Sequence, residues 1–262
     1  MTLFLHELKR GRLPLIIWTV AVSFLLAVSV LIYPEMKGEM EGMTDIFANM
    51  GSFTDAFGMD QLNFGEFMGY FAVECGNQLG LGGAMFAAIL GASALSREER
   101  DKTAEFLLTH PVSRFRIVLC KYFALLLQVV IFTAGISGCA LLSAFIIGEE
   151  FDLGAILLLF LSYLLLQIQI SSVTFGISAF MRKGGIAVGL GVGLGFYFLG
   201  ILSNLTEELE FLKFFTPFAY TDGGKIVNDL VIEPKYLAVG GIFTALGVAV
   251  AFIKYCKKDI HS

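Results

Sequence analysis

Six stretches of this chain are each apolar over a length that crosses a lipid bilayer, and nothing else in the sequence limits its fold as strongly. A helix spans the hydrocarbon layer with about 20 predominantly apolar residues. The qualifying stretches run from Leu13 to Tyr33, Phe67 to Leu95, Phe115 to Ile147, Leu153 to Phe180, Ile186 to Ser203, and Tyr236 to Tyr255. The third and fourth are long and are expected to tilt or to extend beyond the bilayer. Of 262 residues, 56% are hydrophobic and only 16% are charged. A soluble domain has about 25% charged residues, and this surplus of apolar side chains exceeds what one soluble core could hide. The reading is therefore an all-α integral membrane protein with six transmembrane helices. A net charge of −5 argues against a nucleic-acid-binding surface. Four scattered cysteines (Cys75, Cys120, Cys139, Cys256) and three dispersed histidines (His6, His110, His261) form no metal-ligand spacing.

Basic residues set the expected topology. Lys9, Arg10 and Arg12 precede the first stretch. Arg97, Arg100, Lys102, Arg114, Arg116 and Lys121 lie between or beside the second and third. Arg182 and Lys183 join the fourth to the fifth, and Lys254, Lys257 and Lys258 end the sixth. Together these are 14 of the 18 Lys and Arg residues, all on one side. The positive-inside rule makes that side, with both termini, cytoplasmic. No cleavable signal peptide is expected, because the first apolar stretch has full span length and no small-residue cleavage site follows.

The whole of 1–262 reads as one transmembrane domain. Residues 1–12 set Phe4, Leu5 and Leu8 against Glu7, Lys9 and Arg10, the pattern of an amphipathic interfacial helix, with Pro14 turning the chain into the first span. The outer segment 34–66 is expected to hold short helices and turns. The outer segment 204–235 is rich in phenylalanine and is broken by Pro217. It is expected to re-enter the outer leaflet, which requires protein to cover its free backbone groups. No internal repeat is visible, which counts mildly against inverted-repeat transporters.

The most informative segment is the cytoplasmic loop 96–114. Polar residues from Arg97 to Lys102 lead into Thr103–Leu108, where Ala104, Leu107 and Leu108 fall at i, i+3, i+4. Pro111 ends this short helix. A charged helix with one apolar edge between two spans suits docking into a groove on a soluble partner. An ordinary charged loop is the alternative.

The run Glu98, Glu99, Thr103, Glu105, Leu107, Leu108, then Pro111-Val112-Ser113-Arg114 and Lys121, resembles the EE…GT.E.LL..PVSR……K pattern of permease subunits of type-2 ATP-binding-cassette exporters. Lys102 stands where that pattern has glycine. The resemblance covers the whole chain through the six-span layout, the amphipathic start and the aromatic outer segment. It is nearest to single-domain bacterial permeases for antibiotic, peptide, sodium or copper-related export. It implies that Glu98, Glu99, Thr103, Glu105, Leu107, Leu108, Pro111 and Arg114 form the coupling element that meets an ATPase subunit. It further implies two ATPase subunits per complex, a second or homologous permease copy, and residence in the bacterial plasma membrane. The chain itself would carry no cofactor, with ATP and Mg held by the ATPase. No Walker A motif is present: the Gly224-Lys225 pair has Ala219 where the upstream glycine is needed and Ile226 after it. The chain is accordingly not expected to be an enzyme.

Two further patterns lie within the spans. Gly185, Gly189 and Gly193 form GxxxGxxxG, spacing that lets helix backbones approach closely, either within the chain or between two permease copies. Glu74 and Gln78 share a face of the second span, and Gln167, Ser171, Thr174 and Ser178 share a face of the fourth. Intramembrane polar groups face a bundle interior, so Glu74, Gln78 and Gln167 are candidate pathway residues, with interhelical hydrogen bonding the alternative for Gln167. The Asn204-Leu205-Thr206 sequon abuts the membrane, and the Glu98-Glu99 pair lacks the arginine at 103 that an EExxxR protease motif needs. The irregular methionines of the first outer segment fit loop packing better than metal capture. The functional reading is a transmembrane permease subunit. The rival is an integral membrane enzyme or scaffold, which no intramembrane nucleophile–base constellation supports.

Overall fold

A computed structural model of the chain describes residues 2–48, 51, 54, 56, 62–101, 112–182 and 185–258. Its extended elements are all helical. They are α1 (Thr2–Ala48), α2 (Phe67–Cys75), a π-helical segment (Gly76–Gly82), α3 (Gly83–Ala94) and α4 (Arg97–Arg100). Then come α5 (Arg114–Ile147), α6 (Leu153–Ser178), α7 (Gly185–Leu205), two 3-10 segments (Glu207–Phe214 and Pro217–Tyr220), α8 (Gly223–Asp229) and α9 (Pro234–Lys257). Local chemistry sets several of the ends. The Ser113 hydroxyl accepts from Arg116 N at 3.3 Å to start α5. Gly148 ends α5 in the left-handed region at φ 71°, where a side chain would be strained. Asp152 caps α6 by accepting from Gly154 N at 2.7 Å and Ala155 N at 3.3 Å. Only four residues separate this cap from the end of α5, so the two helices run antiparallel.

Five helices among the described residues are long and apolar enough to cross a membrane: Leu3–Gly38, Arg114–Ile147, Leu153–Ser178, Gly185–Leu205 and Pro234–Lys257. The remaining stretch, expected as one span from Phe67 to Leu95, is helical from 67 to 94 but changes winding at Gly76–Gly82. A π-helical turn inserts extra backbone and is uncommon. Here it falls on the sequence GNQLGLG, in which five of the seven residues are glycine or polar.

The core is centred on α6, which packs against α3 on one side and α9 on the other, while α3 packs on α7 and α1 lies along α5. Glycines set these distances. A Cβ on Gly91 would fall 2.2 Å from Thr174 Oγ1 and 2.3 Å from Ser171 O. One on Gly176 would meet Gly247 O at 2.6 Å, and one on Gly247 would meet Ser172 O at 2.5 Å. Substitution at these positions would push whole backbones apart. Aromatic rings fill the wider gaps, with Phe86 stacked on Phe132 at 4.4 Å.

One expectation is corrected. Residues 1–12 do not form a separate interfacial helix turned by Pro14. α1 runs unbroken from Thr2 to Ala48 through Pro14 and Pro34, and so also occupies part of the expected loop region 34–66. A proline inside a helix removes one hydrogen bond and costs about 3 kcal/mol. That loss is local, whereas α1 packs along α5 over much of its length. The segment 204–235 is built from short elements. It folds as the two 3-10 segments followed by α8, with Phe211, Phe214 and Phe215 exposed. Thr216 and Tyr220 anchor it to the helices, the first donating to Phe196 O at 2.8 Å and the second to Gln169 Oε1 at 2.8 Å.

Close approach at glycine yields a contrast within one helix. Gly247→Val is expected to destabilise the protein by about 1–3 kcal/mol through overpacking. Gly241→Val, at a position with nothing within 4 Å of the new Cβ, is expected to be nearly neutral. Thermal unfolding in detergent measures both, and equal midpoints would contradict the packing described.

Candidate functional site

The loop that begins with α4 departs from a cluster of charges at one end of the bundle. At its centre is Lys121, two turns into α5, with its side chain only 1% exposed. A lysine ammonium has three donors, and all three are used. They go to Glu98 Oε1 at 2.5 Å, Glu7 Oε1 at 3.0 Å and Ala94 O at 3.0 Å. One cation thereby binds the end of α3, the short α4 and the first turns of α1 to α5. Arg10 adds a second cation from α1. Its Nη1 lies 3.4 Å from Glu98 Oε1, and its other terminal nitrogen pairs with Asp101. Glu98 Oε2 is buried and has no hydrogen-bond partner among the described residues.

A second group of charges ties in the C-terminal end. Lys258 Nζ lies 2.5 Å from Glu99 Oε1, with both side chains under a tenth exposed, and donates to Met181 O at 3.0 Å. Arg114 at the start of α5 donates to the backbone carbonyl of Lys258. Both ends of the loop, Glu98-Glu99 and Arg114, are therefore fixed to α1, α5 and the end of α9. Met181 brings the turn after α6 into the same group. Burial, followed by the charge of Arg10, lowers the Arg97 pKa. The hydrogen bond from Arg100 holds Asp101 below its ordinary range.

The sequence-derived coupling residues thus divide. Glu98, Glu99 and Arg114 are brought together in the chain's own ion cluster. Thr103, Glu105, Leu107, Leu108 and Pro111 lie outside the described residues. Sequence reasoning noted Lys121 only as a basic residue and as the end of the motif. Its position inside the apolar run Arg114–Ile147 was the available signal, because an ionisable residue there needs a partner. Glu7 and Lys258 carried no such signal.

The span residues also divide. Gln167 is fully buried and accepts from Thr133 Oγ1 at 2.7 Å while donating to Leu79 O at 3.2 Å. It ties α6 to α5 and to the π-helical segment, and it lines no cavity found among the described residues. Ser171, Thr174 and Ser178 bond back to carbonyls of their own helix; their small size is what admits Gly91. Glu74 and Gln78 are partly exposed and do not line the cavities found among the described residues. The π-helical turn shifts the register after Gly76, so the face read from regular helical spacing does not persist. Gly185, Gly189 and Gly193 face α3: a Cβ on Gly185 would lie 2.9 Å from Ala92 O, and one on Gly189 2.8 Å from Ala88 O. These glycines serve packing within the chain, and their face is closed to a second copy. On the opposite face of α7, Gly191 and Gly195 have nothing within 4 Å.

Comparison with known families finds a match over nearly the whole chain. The family model described as ABC-2 family transporter protein matches residues 1–260. No curated protein matches the chain.

Breaking a buried ion pair from one side leaves an uncompensated charge and costs about 3–5 kcal/mol. Lys121→Met is expected to destabilise the protein by about that amount, because Glu98 and Glu7 both lose their ammonium. Adding Glu98→Gln is expected to recover part of the loss, since the amide carries no charge. Unfolding of the single and double variants tests this, and strictly additive losses would contradict it.

Proposed function

The chain belongs to the ABC-2 family of transporter proteins and is a multi-pass membrane permease subunit, and from that premise we propose that the segment following the ion cluster couples it to a separate ATPase. The permease would pair with a second copy or a homologous permease, and two ATPase subunits would dock beneath them. ATP and Mg would be bound by those subunits. Residues 67–94 would complete a six-span layout with both termini in the cytoplasm of a bacterial cell, and transport would run outward.

The observation that supports this reading is the anchorage of the loop. A partner pressing on residues 102–111 would act on a segment held at Glu98-Glu99 and at Arg114. Through Lys121 and Lys258 the load passes to α1, α5 and α9 together. Buried ion pairs suit this role because they resist separation in a low-dielectric setting. The same cluster supports the proposed topology, since Glu7 near the N-terminus and Lys258 near the C-terminus meet one loop.

In this arrangement Leu107 and Leu108 are the apolar anchors at the ATPase. A buried hot-spot side chain is worth upwards of about 2 kcal/mol, and a rim charge little. Leu107→Asp and Leu108→Asp are each expected to abolish co-purification with the ATPase and stimulation of its turnover in lipid. Glu105→Ala is expected to weaken both, and Arg100→Ala to leave both largely intact. Full assembly and turnover in the two leucine variants would rule this segment out as the coupling element. Labelling of a cysteine at position 101 from outside intact cells would overturn the orientation.

A further inference from the structure

A cavity at the end of the bundle away from the ion cluster takes no part in the machinery above. It has a volume of about 130 Å³ and lies where the π-helical segment, α6, α7 and the segment from Lys213 to Lys225 converge. An apolar cavity of about 150 Å³ accommodates benzene, so this one fits a body of about one ring.

Two of its polar groups are open to a ligand. The Tyr163 side chain lines the cavity and is 3% exposed, yet its hydroxyl makes no hydrogen bond with any described residue. Asp222 also lines the cavity. Its Oδ1 caps α8, accepting from Gly224 N at 3.1 Å and Lys225 N at 3.3 Å, but no cation among the described residues pairs with the carboxylate. The two lysines on the wall already face other acids. Lys225 pairs with Glu233, and Lys213 lies 3.9 Å from Glu210. Burial pushes the Asp222 carboxyl above its ordinary range, opposed by the backbone hydrogen bonds from Lys225 and Gly224 and by the more distant charges of Lys225 and Lys213; a cation in direct contact would favour the ionised form further. Tyr197 and Phe218 meet edge to face at 5.4 Å and supply aromatic surface for an apolar ring.

We propose that this cavity binds a small organic cation, an ammonium on an apolar body of about one ring, with Asp222 as its counter-charge. The Tyr163 hydroxyl oxygen accepts a second N–H from the ammonium. The apolar body lies against Tyr197 and Phe218. The inference depends on neither ATPase coupling nor membrane orientation, so a failed coupling experiment leaves it standing.

Titration calorimetry on the full chain in detergent, with benzylammonium chloride as the probe and benzyl alcohol as its uncharged counterpart, tests this. Asp222→Asn retains a side-chain oxygen for the cap and removes the charge. Tyr163→Phe removes only the hydroxyl. Benzylammonium should bind saturably, with affinity falling at least about tenfold in Asp222→Asn and about threefold or more in Tyr163→Phe. Benzyl alcohol should bind more weakly than benzylammonium and equally to wild type and Asp222→Asn. Absence of saturable benzylammonium binding to the wild type overturns the proposal. So does benzyl alcohol binding as tightly, or undiminished benzylammonium binding in either variant. If Asp222→Asn fails to fold, the Tyr163→Phe comparison decides.

Discussion

A lysine ammonium buried two turns inside an apolar helix cannot stand alone. Lys121 must be surrounded by acceptors, and meeting that need determines how one end of this protein is assembled. Its three donors draw in α1, the end of α3 and α4, and each of those elements brings further charges with it. Arg10 follows Glu7 on α1 and reaches Glu98 and Asp101. Glu99 follows Glu98 and reaches Lys258 at the end of α9. Replacing such a cluster with well-packed apolar groups could hold the helices equally well. What the charges add is directional, short-range pairing that fixes where the loop leaves the bundle. In the proposed coupling to a separate ATPase, this is the point at which force would enter.

The rest of the frame depends on backbone proximity. In hydrocarbon, helices gain little from hiding apolar surface, and close packing at small residues takes over. α3, α6, α7 and α9 meet through glycines whose missing Cβ atoms would overlap neighbouring carbonyls. Gln167 adds an interhelical polar tie to the π-helical segment by donating to Leu79 O. The result is a stiff group of helices around α6, with α1 and α5 packed beside it and the charge cluster fastening the two at one end.

Much of this was legible in the sequence, and the remainder was not for identifiable reasons. Apolar length exposed five of the helices directly, because a run such as Leu153–Ser178 admits few other structures. The GxxxGxxxG of Gly185, Gly189 and Gly193 announced close packing but not its partner. Spacing alone does not say whether a smooth helix face meets α3 or a second copy. Pro14 was overweighted: a local rule predicts a break, while packing along α5 keeps α1 continuous. The π-helical turn at Gly76–Gly82 was invisible to a reading based on 3.6-residue periodicity, and it displaced the face assigned to Glu74 and Gln78. The partners of Lys121 and Glu99 lie as far away as Glu7 and Lys258. No local pattern carries pairings at that separation, so Glu98, Glu99 and Arg114 read as contacts for another protein when their described partners are within the chain.

The central claim is that the base of the loop behaves as one rigid unit with α1 and α5 while the proposed ATPase works on it. Arg12 and Arg100 are exposed residues flanking the cluster and can carry spin labels in a background freed of the native cysteines. Pulsed electron–electron resonance between these labels, in the reconstituted complex with and without ATP and Mg, measures that rigidity directly. The account predicts one narrow distance distribution that nucleotide leaves unchanged and that Lys121→Met broadens. A distance that shifts on ATP binding in the otherwise unaltered protein would show that the cluster opens during the cycle, and would contradict the account.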